Sequence, residues 1–407
     1  MMLSAKSADP TATDYSWADC SGSLKPYPDV ETRVAVPDSL AAVHINHVGR
    51  HGARFPSSQR NTLAIDRALR HADSIGTITP LGRRLLSMTS YVLDRCHNYW
   101  GALDSLGMAE QRGIASRMFL AFPQLFMGRT VDAISSYSPR CVMSMYEFTH
   151  QLDRLNNDVA IYTSAGRQNS PLMRPFDLSK GYSAYISSKV WETPLQDYTD
   201  LQVTAEPLRR VLGKDYPMGA KEAETLAMAE YFFIAGLPAM SVECDPSEFF
   251  TKEEYNRLWS VFNLKQYLQR VANTLSTEPA DIASKLILDL VATTDAAVQG
   301  KNDATVNLRF GHAETLLPLY SLLRLPGAWY LTNYFDTVAA HFRDFDLVPM
   351  AGNLQMILFS SRDGKYYVRF DVNEAPVTLI PNDNRIYLPW SEARDYMLRC
   401  VPLIDQP

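Results

Sequence analysis

Apolar positions along the chain fall into two periods, and the switches between them mark its elements. In "AAVHINHVG" (41–49), Val43, Ile45 and His47 alternate with His44, Asn46 and Val48. That two-residue period predicts a strand, which Gly49 ends. From Leu81 the period changes: Leu81, Leu85, Met88, Val92, Cys96 and Tyr99 recur at helical spacing, with Thr79 as N-cap and Pro80 in the first turn. A second helix fits "GMAEQRGIASRMFLAF" (107–122), despite Gly113 inside it. "VDAISSY" (131–137) reads as a strand and "SPRCVMSMYEFTHQL" turns helical after it. The pattern is irregular from about 151 to 195, with basic residues among aromatics. From 218 to 300 it is helical. One helix closes at Gly236 ahead of Pro238, and Thr251 with Glu254 forms a capping-box pair before the next. A third runs from about Pro279 to Gly300. "TVNLRF" (305–310) is a strand and "ETLLPLYSLL" begins a helix. "NLQMILFSS" and "KYYVRFDVN" are strands joined by "RDG", a hairpin signal.

Strands near both ends of the sequence, with a mostly helical block between them, predict an α/β domain carrying an inserted α-helical domain. The division expected is 1–150 with 296–407 as the α/β core and 151–295 as the insert. Composition agrees with a soluble globular chain: 407 residues, 46% apolar and 21% charged. No apolar run approaches the ~18 residues of a membrane span. The net charge of −6 argues against a nucleic acid partner. It leaves room for an anionic small substrate in a local basic pocket. No two of the five cysteines are close in sequence, so a zinc ribbon or redox CxxC is not expected. One or two long-range disulfides stay open. The start "MMLSAKSADP" is too short and polar for an intact signal peptide. It fits a chain whose signal has been removed, and equally a cytosolic one. A monomer is the default.

The chemistry-bearing residues follow strands. Arg50, His51 and Arg54 follow the strand at 41–48, Arg140 follows that at 131–137, and His312 and Glu314 follow that at 305–310. In open α/β sheets, ligands bind beyond the carboxyl ends of strands. Three strand ends would then bring three arginines, two histidines and one carboxylate to one crevice. That set suits a phosphoryl group. Arginine stays charged and grips phosphate oxygens through a planar fork. A central histidine can be the nucleophile, and a carboxylic acid can protonate the leaving alkoxide. The arginines carry the charge that a metal would otherwise carry, so neither metal nor cofactor is expected.

"RHGARFP" (50–56) resembles the RHGxRxP signature of the histidine acid phosphatase branch of the histidine phosphatase superfamily. "SPRCVMS" (138–144) is similar to the segment supplying that family's third phosphate-binding arginine, and "LRFGHAETLLPL" (308–319) to its second histidine motif. "YYVRFDVNEAPVTL" (366–379) resembles its late strand and the turn after it. The resemblance implies a mixed, mainly parallel central sheet flanked by helices, with the helical insert covering the active site. It implies His51 as nucleophile and Arg50, Arg54, Arg140 and His312 as phosphate ligands. Most of the branch has His-Asp at the second motif. Here His312-Ala313-Glu314 places the acid one residue later, on a side chain one methylene longer. This HAE variant resembles the multiple inositol polyphosphate phosphatases. It implies Glu314 as proton donor, phytate and lower inositol phosphates as substrates, and a periplasmic or secreted location.

Each of these residues has a plainer reading. A lone histidine is usually structural, and Glu314 alone could simply favour a helix N-terminus. His44 and His47 form HxxH, but positions three apart on a strand face opposite sides, so no shared metal is expected. Both are read as satisfied sheet histidines, though His47 shares parity with Gly49 and His51, which could place it near the site as support. Arg167, Arg174, Lys180 and Lys189 share the window 160–190 with one acid, Asp177. Such a run is usually a solvated face, or it could contact the distal phosphates of a polyanionic substrate. Arg209, Arg210 and Lys214 are weaker candidates among neighbouring acids. Two rival functions follow. One is a broad acid, bisphosphoglycerate or sugar-phosphate phosphatase. The other is a polyanion-binding module without catalysis.

Overall fold

In the computed structural model, residues 15–30 and 34–403 are described. The N-terminal decapeptide therefore lies outside the described residues. One mixed sheet organises the chain. Its strands are β1 (Leu40–Arg50), β2 (Thr130–Ser135), β3 (Ala160–Ala165), β4 (Val306–Gly311), β5 (Asn353–Ser361), β6 (Tyr366–Val372), β7 (Ala375–Val377) and β8 (Leu388–Pro389). Their order is β3-β2-β4-β1-β5-β6-β7, with β8 also paired to β6. The first four strands in that order are parallel. The remaining pairings are antiparallel. Parallel character thus belongs to the half that carries the candidate residues. There β2, β4 and β1 lie side by side and end together, with Ser135 opposite Phe310 and Arg50 opposite Gly311.

Both faces of the central parallel strands β1 and β4 are covered, as crossover helices require. On one face Ile45 and Phe310 pack with Ile114 and Met118 of α3 (Ser105–Ala121) and Phe148 of α4 (Pro139–Leu155). On the other, Val48 packs with Leu290, Leu316 and Trp390 from the helices Ser284–Val298, Ala313–Leu322 and Trp390–Cys400. A separate helical layer gathers Leu69, Leu85, Leu226, Tyr231 and Trp259. The layers interleave along the chain. α1 (Arg60–Ser74) and α2 (Pro80–Arg95) precede residue 150 but pack with the helical layer. β3 and Ser284–Val298 begin within 151–295 yet belong to the sheet layer.

Local signals hold where the sequence carries them. Thr79 Oγ1 accepts from the Gly82 amide at 3.0 Å, and Thr251 and Glu254 form the reciprocal capping box. α1 escapes the pattern because its inner face carries Thr62 and Asp66 beside Ile65 and Leu69. Asp66 is satisfied there by Arg70 and Thr89. The five cysteines are all free thiols, so the disulfides left open do not form. Among the described residues, no helix is long and apolar enough to cross a membrane.

Candidate active site

The turn leaving β1 is held at each amide from Arg50 to Ala53. The Arg50 amide donates to Gly352 O at 2.8 Å and the His51 amide to Gly311 O at 3.1 Å. The Gly52 amide donates to Ser144 Oγ at 3.1 Å and the Ala53 amide to Glu110 Oε2 at 2.6 Å. Gln111 Nε2 donates to Arg50 O at 2.9 Å, and the Ala351 amide to His51 O at 2.9 Å. With these four amides committed, side chains are the principal means of holding an anion beside His51.

The His51 ring is fixed by one bond. Its Nδ1 lies 2.9 Å from Gly52 O, which can only accept. Nδ1 therefore carries the proton, and Nε2 presents a lone pair. Burial lowers the His51 pKa well below its ordinary value, and Arg50, Arg140, Arg54 and His312 lower it further. The shift favours the neutral imidazole, the nucleophilic form.

Three guanidinium groups surround it. Arg50 is anchored by Nη1, which donates to Ser23 O at 2.6 Å and Val348 O at 2.5 Å. The Ser23 amide in turn donates to the buried carboxylate of Asp344 at 2.8 Å. Arg54 Nη1 donates to Phe55 O at 2.9 Å. Arg140 stands in the first turn of α4, its Nη2 3.3 Å from His312 Nδ1. The Nε groups of all three are buried without a hydrogen-bond partner. Burial lowers the Arg50 pKa to about 10, and burial with Arg140 and Arg50 lowers that of Arg54 to about 9. Guanidinium does not deprotonate in proteins, so this crowding acts instead as affinity for an anion.

His312 closes the ring. Its imidazole stands 5.7 Å from that of His51, centroid to centroid. Nε2 lies 2.9 Å from Arg174 Nη1 and 3.1 Å from Ser136 Oγ. Burial lowers its pKa to about 3; Glu314 opposes this, and Arg140, Arg174 and Arg50 add to it. The neutral ring has one acceptor nitrogen, and Arg174 holds the shorter contact to Nε2. Nδ1–H then points beside Arg140, two donors sharing a space that an anionic oxygen would satisfy. Glu314, on the first turn of Ala313–Leu322, is 37% exposed and 3.5 Å from Arg270 Nη2.

The six residues named for chemistry thus meet at one place. The four distal candidates do not stay together. Arg174 reaches His312 itself, clamped by Asp177 at 2.6 Å and stacked on Tyr137 and Phe176. Arg167 is exposed over the Tyr137 ring. Lys180 and Lys189 are exposed, and Lys189 pairs with Glu192. Neither lysine bonds to a site residue among the described residues. His47 packs between Phe148 and Phe310, its Nε2 2.6 Å from where a Cβ on Gly49 would stand, while His44 is buried near Arg309. Arg210 bonds Glu254, and Arg209 bonds Lys214 O.

The sequence reading missed several parts. Ser23 and Asp344, which anchor Arg50, come from an apparent lead-in loop and a two-turn connection. Cys141, buried 3.6 Å from His312 Nε2, is an inert thiol whose pKa burial raises to about 11. Arg270 is the last residue of the helix Lys252–Arg270, where a cation is common. Beside Arg54 lies a cavity of about 240 Å³. A larger one, about 790 Å³, shares Ser58, Asn61, Phe232 and Phe262 with it and includes Arg60 and Lys265.

Residues 194–373 match the family model of the histidine phosphatase superfamily (branch 2). The match contains His312 and Glu314 but begins after the His51 loop. The chain is 26% identical to human multiple inositol polyphosphate phosphatase 1, covering 85% of this chain and 75% of the human protein. Its fold is similar to that of a Bifidobacterium longum multiple inositol polyphosphate phosphatase solved with inositol hexasulfate: TM-score 0.80, 16% identity, 95% of this chain and 98% of the other. It is also similar to a phytase from D. castellii: TM-score 0.72, 15% identity, 94% of this chain and 85% of the other.

Proposed function

We propose that this protein hydrolyses phosphomonoesters of inositol hexakisphosphate and lower inositol polyphosphates through a phosphohistidine. The observation that carries the reading is the free Nε2 of a neutral, buried His51 inside a ring of Arg50, Arg54, Arg140 and His312. The kinship to inositol polyphosphate phosphatases supports the substrate class.

In the first step Nε2 attacks phosphorus and the P–O bond to the inositol breaks. Arg50, Arg54, Arg140 and His312 hold the equatorial oxygens as charge spreads onto them. Glu314 gives its proton to the leaving alkoxide. In the second step water attacks phosphorus, its proton passes to Glu314, and the P–N electrons return to Nε2. The arginines supply the charge, so the reaction runs without a metal. The helical layer around Arg270 and Lys265 roofs the site, Arg174 and Arg167 are candidates for distal phosphates, and the chain works as a monomer in a periplasmic or extracellular setting.

Time-resolved separation of the inositol phosphates released from hexakisphosphate tests the reading. Stepwise loss of phosphate with regular positional order is expected. Equal efficiency on sugar phosphates or bisphosphoglycerate would assign a broad phosphatase instead. Tight binding of hexakisphosphate with no phosphate released from acid to neutral pH would assign a binding module.

A further inference from the structure

A leaving-group acid must carry a proton, yet Glu314 is held as a carboxylate. Partial burial works to raise its pKa, but Arg270 above all, with a backbone hydrogen bond and Arg50, outweighs it and brings it to about 2. Several groups face it from the elements packed around it. Arg50 and Arg54 come from the β1 loop, Cys141 from α4, His312 from its own helix, and Arg270 and Tyr182 from the helical layer. In the mechanism above, Arg50, Arg54 and His312 are committed to the phosphoryl group that is transferred. Arg270 is not.

Arg270 is also short of acceptors. Its Nη1 donates to the Tyr182 hydroxyl, which itself donates to Gln269 O at 3.1 Å. Its Nη2 reaches Glu314 Oε1 only at 3.5 Å. Its Nε is buried with no hydrogen-bond partner. A guanidinium with one short bond, one long one and an unused donor can take on a stronger acceptor. Like charge stands on the same side: burial, then Arg270 and Arg60, lower the pKa of Lys265, with Glu192 opposing. Lys265 and Arg60 line the cavity of about 790 Å³, more room than one phosphoryl group needs.

We propose that Arg270 is a charge gate on the proton donor. A second phosphate on the substrate, next to the scissile one, draws Arg270 away from Glu314, and Glu314 then takes up the proton it delivers. This rests on the phosphatase reading above and adds a reason for selectivity. A singly phosphorylated ester leaves Arg270 on Glu314, so its alkoxide departs without a proton. A polyphosphate both captures Arg270 and places negative charge beside the carboxylate. Both effects favour the protonated acid.

The test compares pH profiles of kcat for inositol hexakisphosphate, inositol monophosphate and 4-nitrophenyl phosphate. In the wild-type protein the alkaline limb for the monophosphate should lie about 1 to 3 pH units below that for the hexakisphosphate. The nitrophenyl ester, whose leaving group needs no proton, should not show this displacement. Arg270→Gln should move the monophosphate limb up toward the hexakisphosphate limb and raise KM for the hexakisphosphate. Arg270→Lys, which keeps the charge, should resemble wild type. Coincident limbs in the wild-type protein overturn the gate, whatever the variants do. An Arg270→Gln protein that melts normally and keeps the wild-type monophosphate limb overturns it too. Coincident limbs with good hexakisphosphate turnover leave the function standing. Failure to release phosphate from any ester removes the function and the gate together.

Discussion

Gly52→Ala probes how closely the site depends on its backbone. A Cβ on Gly52 would stand 2.4 Å from Gly107 O, 2.6 Å from its Cα and 2.7 Å from its carbonyl carbon. The approach is mutual, because a Cβ on Gly107 would stand 2.1 Å from Ala53 O. Backbone on both sides cannot rotate away. Opening the contact from 2.4 Å to the ordinary 3.4 Å moves the loop about 1 Å off α3. Gly52 O is the acceptor that orients His51 Nδ1, so the imidazole moves with it. A displacement of about 1 Å at a reacting atom costs about 10²-fold in rate, or about 2.7 kcal/mol of barrier. Overpacking should lower stability by about 1–3 kcal/mol. The assay is kcat for hexakisphosphate and for 4-nitrophenyl phosphate, beside a thermal melt. Both kcat values should fall together, since the nucleophile is common to them. A folded variant within about threefold of wild type would refute the reasoning.

Other outcomes follow from the same geometry. Glu314→Gln should lower kcat for hexakisphosphate by about 10²–10⁴-fold and for 4-nitrophenyl phosphate far less; an equal loss on both would point to another acid. Arg174→Ala removes the donor on His312 Nε2 and should lower kcat/KM by about tenfold or more, whereas a change under about twofold would make the contact incidental. Glu230 is wholly buried, and neither carboxyl oxygen has a hydrogen-bond partner. Burial raises its pKa from 4.5 to about 8, with Arg210 opposing. The folded state therefore holds a proton that the unfolded chain loses, and stability should fall as pH rises from about 4.5 toward about 8. Glu230→Leu should raise the melting temperature most near pH 8 and flatten that slope; an unchanged slope would exclude Glu230 as its source.

The chemistry was legible because its residues are tied to strand ends and to a contiguous motif. Once β1, β2 and β4 lie parallel and adjacent, Arg50, His51, Arg140 and His312 have nowhere else to converge. What supports them was not legible. Ser23, Asp344, Gln111 and Ser144 act through hydrogen bonds across long sequence separations, and no local pattern announces such a partner. β3 was lost because an exposed edge strand buries too little to alternate clearly. The basic window at 160–190 shows the limit of counting charge. Arg174 turns inward because Tyr137, Phe176 and Asp177 receive it, whereas Lys189 turns out to Glu192. Arg270 ends an ordinary amphipathic helix, where a cation is expected anyway, so nothing marked it.

The central claim is a covalent phosphoryl group on His51. Rapid quenching of turnover on hexakisphosphate into alkali, which preserves phosphohistidine, followed by peptide mass spectrometry, tests it most directly. A phosphoryl group on the peptide containing His51, lost on acid treatment and lacking in a folded, inactive His51→Ala protein, is the expected result. Phosphate release at the wild-type rate from His51→Ala, or steady turnover with no phosphorylated His51 peptide at any quench time, would contradict it.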